Sequence, residues 1–397
     1  MAALILFVSH FRIVIENLSK YGILFNWNTV QTYLDPFFLI LGTIAIQTHA
    51  IIGLKLEIWV LGHLNEMRYI RIFNGATFLN ILGVVLLPSL LVFFGRPSFA
   101  TGGLLLMQAM MMWMKLISFA LVNRDLRRIH QEGSKSNPED VLKKLVDNGE
   151  LVQYPLNLTI HNMYYFIMAP TLVYQMNYPR TAKIRWYWLM GKLVQFIFFS
   201  LLMVILVEQF IMPTIKNTIK YHLDKGTDLP YLLARLLKLA IPSLLVWLIM
   251  FYAFFHLYLN ILGELLRFGD RAFYQDWWNS TTLGEYWRRW NLPVHNWLVR
   301  HVYHPIRRRG SPRPLSALII FFISAVFHEL LASIPLSMVR WHFFMGMLLQ
   351  VPLIIVTERW TKGHQMGNIF FWLFFCVIGQ PMIMLLYYHD YMAAQAT

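Results

Sequence analysis

The sequence predicts an all-α integral membrane protein, about nine transmembrane helices set at ~20 residues each. Three observations carry this. The 397 residues are 57% hydrophobic and only 14% charged, with a mean hydropathy of +0.50, which is far from the usual range of soluble domains. Aromatic residues reach 16%, as expected where Trp and Tyr line both membrane interfaces. The basic residues fall in loops between apolar runs, an alternation that sorts loops between the two sides of a bilayer.

The expected spans are Ala2–Tyr21, Pro36–Trp59, Ile72–Phe94, Thr101–Val122, Trp188–Met212, Tyr231–Leu266, Leu315–Val339, Trp341–Thr357 and Asn368–His389. His10, Arg12 and Glu16 interrupt the first. The apolar patch Met163–Tyr174, broken by Pro170, is too short to cross and reads as interfacial or re-entrant. No basic segment precedes Ala2–Val8 and no small-residue cleavage site follows, so a cleaved signal peptide is not expected. With neither internal repeat nor low-complexity linker, residues 1–397 read as one membrane domain carrying a motif loop at 268–314.

Loop charge sets the orientation. Arg68 and Arg71 flank the second span, Arg124, Arg127, Arg128, Lys143 and Lys144 follow the fourth, and a larger set from Arg267 to Arg309 follows the sixth. Arg359 and Lys362 follow the eighth. Opposite loops hold little besides Lys216, Lys220 and Lys225, partly offset by Asp224 and Asp228. The N-terminus is therefore expected in the cytosol and the C-terminus in the lumen. The net charge of +14 follows from this sorting, and no nucleic-acid partner is expected. A single cysteine, Cys376, excludes an internal disulfide.

Three constellations bear on chemistry. The loop opens with Phe273-Tyr274-Gln275-Asp276-Trp277-Trp278-Asn279. Thr282 and Glu285 then have capping-box spacing, and Leu283, Tyr286, Trp287 and Trp290 share a helical face. That face predicts an amphipathic helix in the headgroup layer, held by its Trp side chains; it leaves Asn279 unexplained. The second constellation is His328-Glu329, deep in the seventh span. An ionisable pair there reads either as function or as a hydrogen-bonded helix residue with a buried partner. Ser324 lies one turn before His328, making a Ser–His pair conceivable, but no G-x-S-x-G elbow accompanies it. Neither H-E-x-x-H nor a Cys/His group at metal spacing occurs, so no metal is expected. Third, Met347, Gln350 and Gln380 in the last two spans suit either interhelical packing or a substrate-lined cavity.

On Phe273–Asn279 and Ser324-Ala-Val-Phe-His328-Glu329 the sequence resembles the membrane-bound O-acyltransferase family, in the branch holding diacylglycerol and sterol acyltransferases. Within that branch Pro293-Val-His-Asn-Trp-Leu-Val-Arg300-His301-Val-Tyr303-His-Pro305 is similar to the diacylglycerol enzymes, since the sterol pattern lacks the Arg-His and the Pro. The similarity continues through Asn157-Leu-Thr, Met168-Ala-Pro-Thr171, Met212–Asn217, Gly379-Gln-Pro381 and His389-Asp-Tyr391. The resemblance implies helices around an intramembrane reaction tunnel in the endoplasmic reticulum, with acyl-CoA entering from the cytosol and diacylglycerol from the bilayer to give triacylglycerol. It implies His328 as catalytic base, with Asn279 and Glu329 beside it in the catalytic set. Trp278, Ser324, Met347, Gln350, Gln380 and His301 are implied as substrate-binding positions. Acyl-CoA is a co-substrate, and no cofactor is expected. Members usually carry a longer polar N-terminal arm that assists oligomer formation; the expectation here is a homodimer or tetramer. The alternatives are a sterol or fatty-alcohol O-acyltransferase and, outside enzymes, a lipid transporter or scramblase using His328 as a proton relay.

Overall fold

The computed structural model describes residues 15–25, 33–64, 66–133, 152–225 and 229–379, with positions 382, 383, 386, 387 and 390. Among them there are helices and loops and a single isolated bridge, Arg180 to Phe268, but no strand. A polar backbone in hydrocarbon must satisfy its own hydrogen bonds, and a helix does this within one segment.

Seven helices are long and apolar enough to cross a membrane: Pro36–Leu61, Met67–Gly95, Phe99–Gln131, Trp186–Thr218, Leu233–Leu265, Arg313–Ser333 and His342–Trp360. These match the second through eighth expected spans, and the chain is an all-α, multi-pass membrane protein. The first expected span lies mostly outside the described residues, and the ninth is described as far as Gly379 and at scattered positions beyond.

The first three, α1 (Pro36–Leu61), α2 (Met67–Gly95) and α3 (Phe99–Gly133), pack as an antiparallel group. Ile46, Ala50, Leu54, Val84, Ala109, Met112, Leu116 and Phe119 fill their centre. A buried ion pair ties α1 to α3, Arg127 donating to Glu57. Short α4 (Ile160–Met168) closes this group with Met163 and Phe166 and stops before Pro170, as the brief apolar patch requires. Thr159 caps it, accepting the Asn162 amide at 3.2 Å.

The next two spans each contain a π-helical turn, where one extra residue re-aims the side chains. Helix α5 (Trp186–Leu206) runs through Val207–Ile211, and α6 (Leu229–Phe251) through Tyr252–Tyr258 and on to Leu265. Glu264 near the end of α6 is fully buried and accepts Arg185 Nη2 at 2.8 Å and Arg271 Nη1 at 2.5 Å. Arg271 belongs to the run of basic residues that reads as a topology signal; here it and Arg185 also fasten the motif loop and α5 to α6.

That loop folds into short helices, α7 (Leu283–Arg289), then α8 (Leu292–Leu298) continuing through a π turn at Val299–Tyr303 to Arg308. The last described pair, α9 (Arg313–Ser333) and α10 (His342–Trp360), packs side by side, followed by α11 (Gln365–Phe370) with its π-helical extension to Gly379.

The expectation for α7 needs correction. Its apolar face is covered by other parts of the protein. Leu283 and Tyr286 are buried with Trp277, Phe251, Phe255 and Phe371, and Trp290 stacks on Trp247 of α6 at 5.0 Å and 9°. Helical periodicity shows that a face is apolar; whether lipid or another helix covers it depends on α6, which is distant in sequence.

Candidate active site

His328 lies on α9, half-buried, fifteen residues into the helix. Its Nδ1 is 2.8 Å from the Ser324 carbonyl oxygen and 3.3 Å from Ser324 Oγ. A carbonyl only accepts, so Nδ1 carries the proton and donates. In the neutral ring Nε2 then holds the lone pair, and among the described residues no protein group hydrogen-bonds to it. The same geometry weakens Ser324 as a nucleophile: the ring nitrogen facing its hydroxyl is already protonated and cannot take a proton from it.

Glu329 points elsewhere. It is 4% exposed, and its Oε1 accepts the Trp341 amide at 2.9 Å while Oε2 accepts the Phe344 amide at 3.1 Å. Tyr387 donates to the same carboxylate. The glutamate thus caps the N-terminus of α10, where unsatisfied amides favour an anion. It also holds Trp341 at φ 64°, a left-handed conformation that costs a bulky residue about 1–3 kcal/mol. No Glu329–His328 bond forms; adjacent helix residues diverge by about 100°.

On α10, Met347 and Gln350 are both 8% exposed. Gln350 Nε2 donates to the Gly346 carbonyl at 3.2 Å, which fixes the amide's orientation. Gln350 Oε1 is buried with no protein partner among the described residues. Gln380 falls outside the described residues.

The segment Phe273–Asn279 is strapped from several sides. Phe273 and Trp277 are buried in the aromatic cluster. The Trp278 carbonyl accepts Asn368 Nδ2 at 2.8 Å and Trp372 Nε1 at 3.1 Å. One step on, Thr361 Oγ1 donates to the Thr281 carbonyl at 2.8 Å, and a Cβ on Gly367 would collide with that same carbonyl. The capping box forms in a shifted version: Thr282 Oγ1 accepts the Glu285 amide at 3.1 Å, while Glu285 Oε2 takes the Thr281 amide at 2.9 Å. With its backbone so held, Asn279 sits in a 3₁₀ turn with its side chain exposed, and Trp278 is 41% exposed. The structure does not bring Asn279 into hydrogen-bonding contact with His328. What joins their neighbourhoods is α10, which pairs with α9 and whose Thr357 Oγ1 accepts the Leu283 amide at 3.3 Å.

His301 is placed by α3. Its Nε2 lies 2.8 Å from Ser118 Oγ, and Ser118 Oγ accepts the Tyr174 amide at 2.8 Å. Burial, with help from Arg300, pushes the imidazole pKa down to about 4. Trp297 adds a second tie, donating to the Met114 carbonyl at 2.8 Å. Trp113 of α3 meets the Phe327 ring, next to His328, at a centroid distance of 4.8 Å.

Lys115 went unremarked in the sequence, although an ionisable residue inside the fourth span was a visible signal. It is 7% exposed and spends its three N–H donors on the carbonyls of Phe166, Ile167 and Ala169 at 2.8, 2.7 and 2.8 Å. It neutralises the C-terminus of α4, where the last carbonyls have no helical partner. Among the described residues no three His, Cys, Asp or Glu side chains gather to hold a metal ion.

The family model of the membrane-bound O-acyltransferases matches residues 87–389, a stretch containing both Asn279 and His328. Diacylglycerol O-acyltransferase 1C of Glycine max is 40% identical over 390 residues, covering 96% of this chain and 72% of the relative. Diacylglycerol O-acyltransferase 1 of Corylus americana is 41% identical over 390 residues, 96% of this chain and 69% of the relative. The protein called diacylglycerol O-acyltransferase 1 in Arabidopsis thaliana is 39% identical over 401 residues, 99% of this chain and 72% of the relative. By both measures, the chain belongs to the membrane-bound O-acyltransferase family.

Proposed function

We propose that the chain is an acyl-CoA:diacylglycerol O-acyltransferase, which moves a fatty acyl group from the thioester to the free hydroxyl of diacylglycerol and releases triacylglycerol and coenzyme A. One observation carries the reading: relatives named for that activity align along almost the whole chain, not at one motif.

The chemistry follows from His328. A thioester is already activated, so the hard task is to deprotonate a weakly acidic alcohol as it attacks. The Nε2 lone pair takes the hydroxyl proton while the oxygen bonds to the thioester carbon. The tetrahedral oxyanion collapses, the C–S bond breaks, and the proton passes from Nε2 to the departing thiolate. Ser324 acts through its carbonyl, which holds the imidazole in the tautomer with Nε2 free. The buried Gln350 amide has one N–H left to offer an oxyanion and an Oε1 able to accept the acceptor's hydroxyl. Glu329 is a positioning residue: it anchors the start of α10 and so fixes Met347 and Gln350 against α9. Trp278, Asn279 and Gln380 complete the substrate cavity in this reading, and a low-dielectric chamber keeps water from the thioester.

Acyl-CoA meets the protein at the cytosolic face, where Arg308 and Arg309, at the end of α8, have no side-chain partner among the described residues. Guanidinium groups suit the phosphates of coenzyme A. Nine spans around a tunnel, residence in the endoplasmic reticulum with a cytosolic N-terminus, and assembly as a homodimer or tetramer belong to the same proposal.

The test is an acceptor comparison with purified protein and radiolabelled oleoyl-CoA. Diacylglycerol should be esterified far faster than cholesterol or a long-chain alcohol. Equal or greater cholesteryl-ester formation would move the chain to the sterol branch. A stoichiometric acyl adduct after incubation with acyl-CoA alone, consumed on adding diacylglycerol, would contradict direct transfer.

A further inference from the structure

A polar stripe crosses the lipid-facing side of α5 and α6 and is used by nothing described above. The most apolar stretch of α5 has no residue buried by protein, and Met190, Val194 and Ile197 are more than half exposed. Within this stretch Lys192 Nζ lies 3.2 Å from His256 Nε2, and His256 Nδ1 lies 2.8 Å from the Tyr274 hydroxyl. Tyr252 stacks on His256 at 4.9 Å and 15° and donates to Gln195 Oε1 at 3.2 Å. The π turn of α6 presents both Tyr252 and His256 to α5. Tyr274 belongs to the strapped Phe273–Asn279 segment, so the stripe links the uncovered face of α5 to that segment.

The donor–acceptor sense of this chain is fixed. A lysine ammonium only donates, so His256 Nε2 accepts, Nδ1 carries the proton, and Tyr274 accepts from it. The strong valences left over are therefore donors: the remaining N–H groups of Lys192, the Gln195 amide and the Tyr274 O–H. Lys192 also lies 5.7 Å from the centre of the Trp188 ring. It sits six residues into the helix, about 9 Å along it, beyond the aromatic residues Trp186, Tyr187 and Trp188 that start the span. Polar side chains at such a depth on a lipid-facing surface are costly unless they have a task.

We propose that Lys192, Gln195 and Tyr274 form an access track for a glycerolipid, hydrogen-bonding its ester carbonyls as it moves from the bilayer toward the reaction chamber. Ester carbonyls accept and do not donate, which complements a row of donors. The inference rests on the acceptor being diacylglycerol and adds how that acceptor is recognised.

The test uses the full chain in nanodiscs of ether-linked phosphatidylcholine, so that the host bilayer supplies no ester carbonyls. Turnover is measured against 1,2-diacylglycerol and against the matching 1,2-dialkylglycerol, which keeps the hydroxyl and chains but lacks the esters. For Lys192→Met with Gln195→Leu, the KM for diacylglycerol should rise about three- to tenfold, the loss of one or two hydrogen bonds. The KM for oleoyl-CoA and the Tm should stay within about twofold and a few degrees. Lys192→Arg, which keeps a donor, should restore most of the affinity. On dialkylglycerol the variants and the wild type should behave alike. An equal rise for both acceptors, or no rise for either, overturns the track. A rise that appears only in ester-linked host lipid assigns the stripe to bilayer phospholipid and overturns it too. If the wild type esterifies no diacylglycerol, the functional reading fails first and this inference falls with it.

Discussion

Replacing Lys115 by methionine should loosen the α4 segment without removing the catalytic histidine. The side chains are similar in length, so the change is mainly electrostatic. Three hydrogen bonds of 2.7–2.8 Å to the Phe166, Ile167 and Ala169 carbonyls disappear; the Ala169 oxygen keeps the Thr171 amide at 2.7 Å, while those of Phe166 and Ile167 have no other partner among the described residues. A buried carbonyl left unpaired costs about 1–3 kcal/mol, giving roughly 2–6 kcal/mol for these two. Against this stands the burial cost of the ammonium, several kcal/mol, which the variant no longer bears. The net is a destabilisation on the order of 1–2 kcal/mol. Size-exclusion thermostability of detergent-solubilised protein reads it as a Tm lower by several degrees, with Lys115→Arg falling less because a cationic donor remains. A Lys115→Met protein as stable as the wild type would show that the burial cost cancels the bonds, and the anchoring role assigned to Lys115 would be wrong.

Three further outcomes are expected. His301 has a folded pKa of about 4 against an ordinary 6.5, so the unfolded chain binds the proton more readily. Its contribution to stability is intact above pH 6.5 and is lost as pH falls toward 4; a His301→Gln protein should show a flatter Tm profile across that window, and an unchanged slope would remove His301 as the cause. Changing Arg307, Arg308 and Arg309 to alanine should raise the KM for acyl-CoA about tenfold with a smaller effect on kcat, whereas unchanged kinetics with altered membrane orientation would leave the run a topology signal alone. A tag after Thr397 should resist protease in sealed, right-side-out microsomes until detergent is added, and digestion beforehand would reverse the proposed orientation.

Much of the fold was legible because lipid constrains composition directly. An apolar run of sufficient length has few other destinations, and α1, α2, α3, α5, α6, α9 and α10 all appear where hydropathy places them. Pairing was far less legible. Glu57 and Arg127 are 70 residues apart, Lys115 reaches carbonyls more than 50 residues away, and neither partner marks the other in sequence. The π turns in α5 and α6 leave no compositional trace, yet one of them sets His256 between Lys192 and Tyr274. In the candidate site, His328 stands out because an imidazole in mid-span is costly. Its usable nitrogen was not legible, since that depends on the direction of the Ser324 carbonyl. Glu329 was equally conspicuous, and its carboxylate turns to amides of Trp341 and Phe344 that no motif identifies. Trp287 and Trp290 show the limit of periodicity, which described the face and misassigned its neighbour.

The central claim is that His328 Nε2 removes the acceptor's proton in a direct transfer. Its most direct test is the turnover of purified His328→Ala with oleoyl-CoA and diacylglycerol, beside a Ser324→Ala control and a Tm measurement on each. Loss of a general base lowers the rate by ~10²–10⁴-fold, so His328→Ala should fall in that range while remaining folded, and Ser324→Ala, which keeps its backbone carbonyl, should retain most of its activity. A folded His328→Ala protein turning over within about tenfold of the wild type would contradict the base assignment and the mechanism built on it.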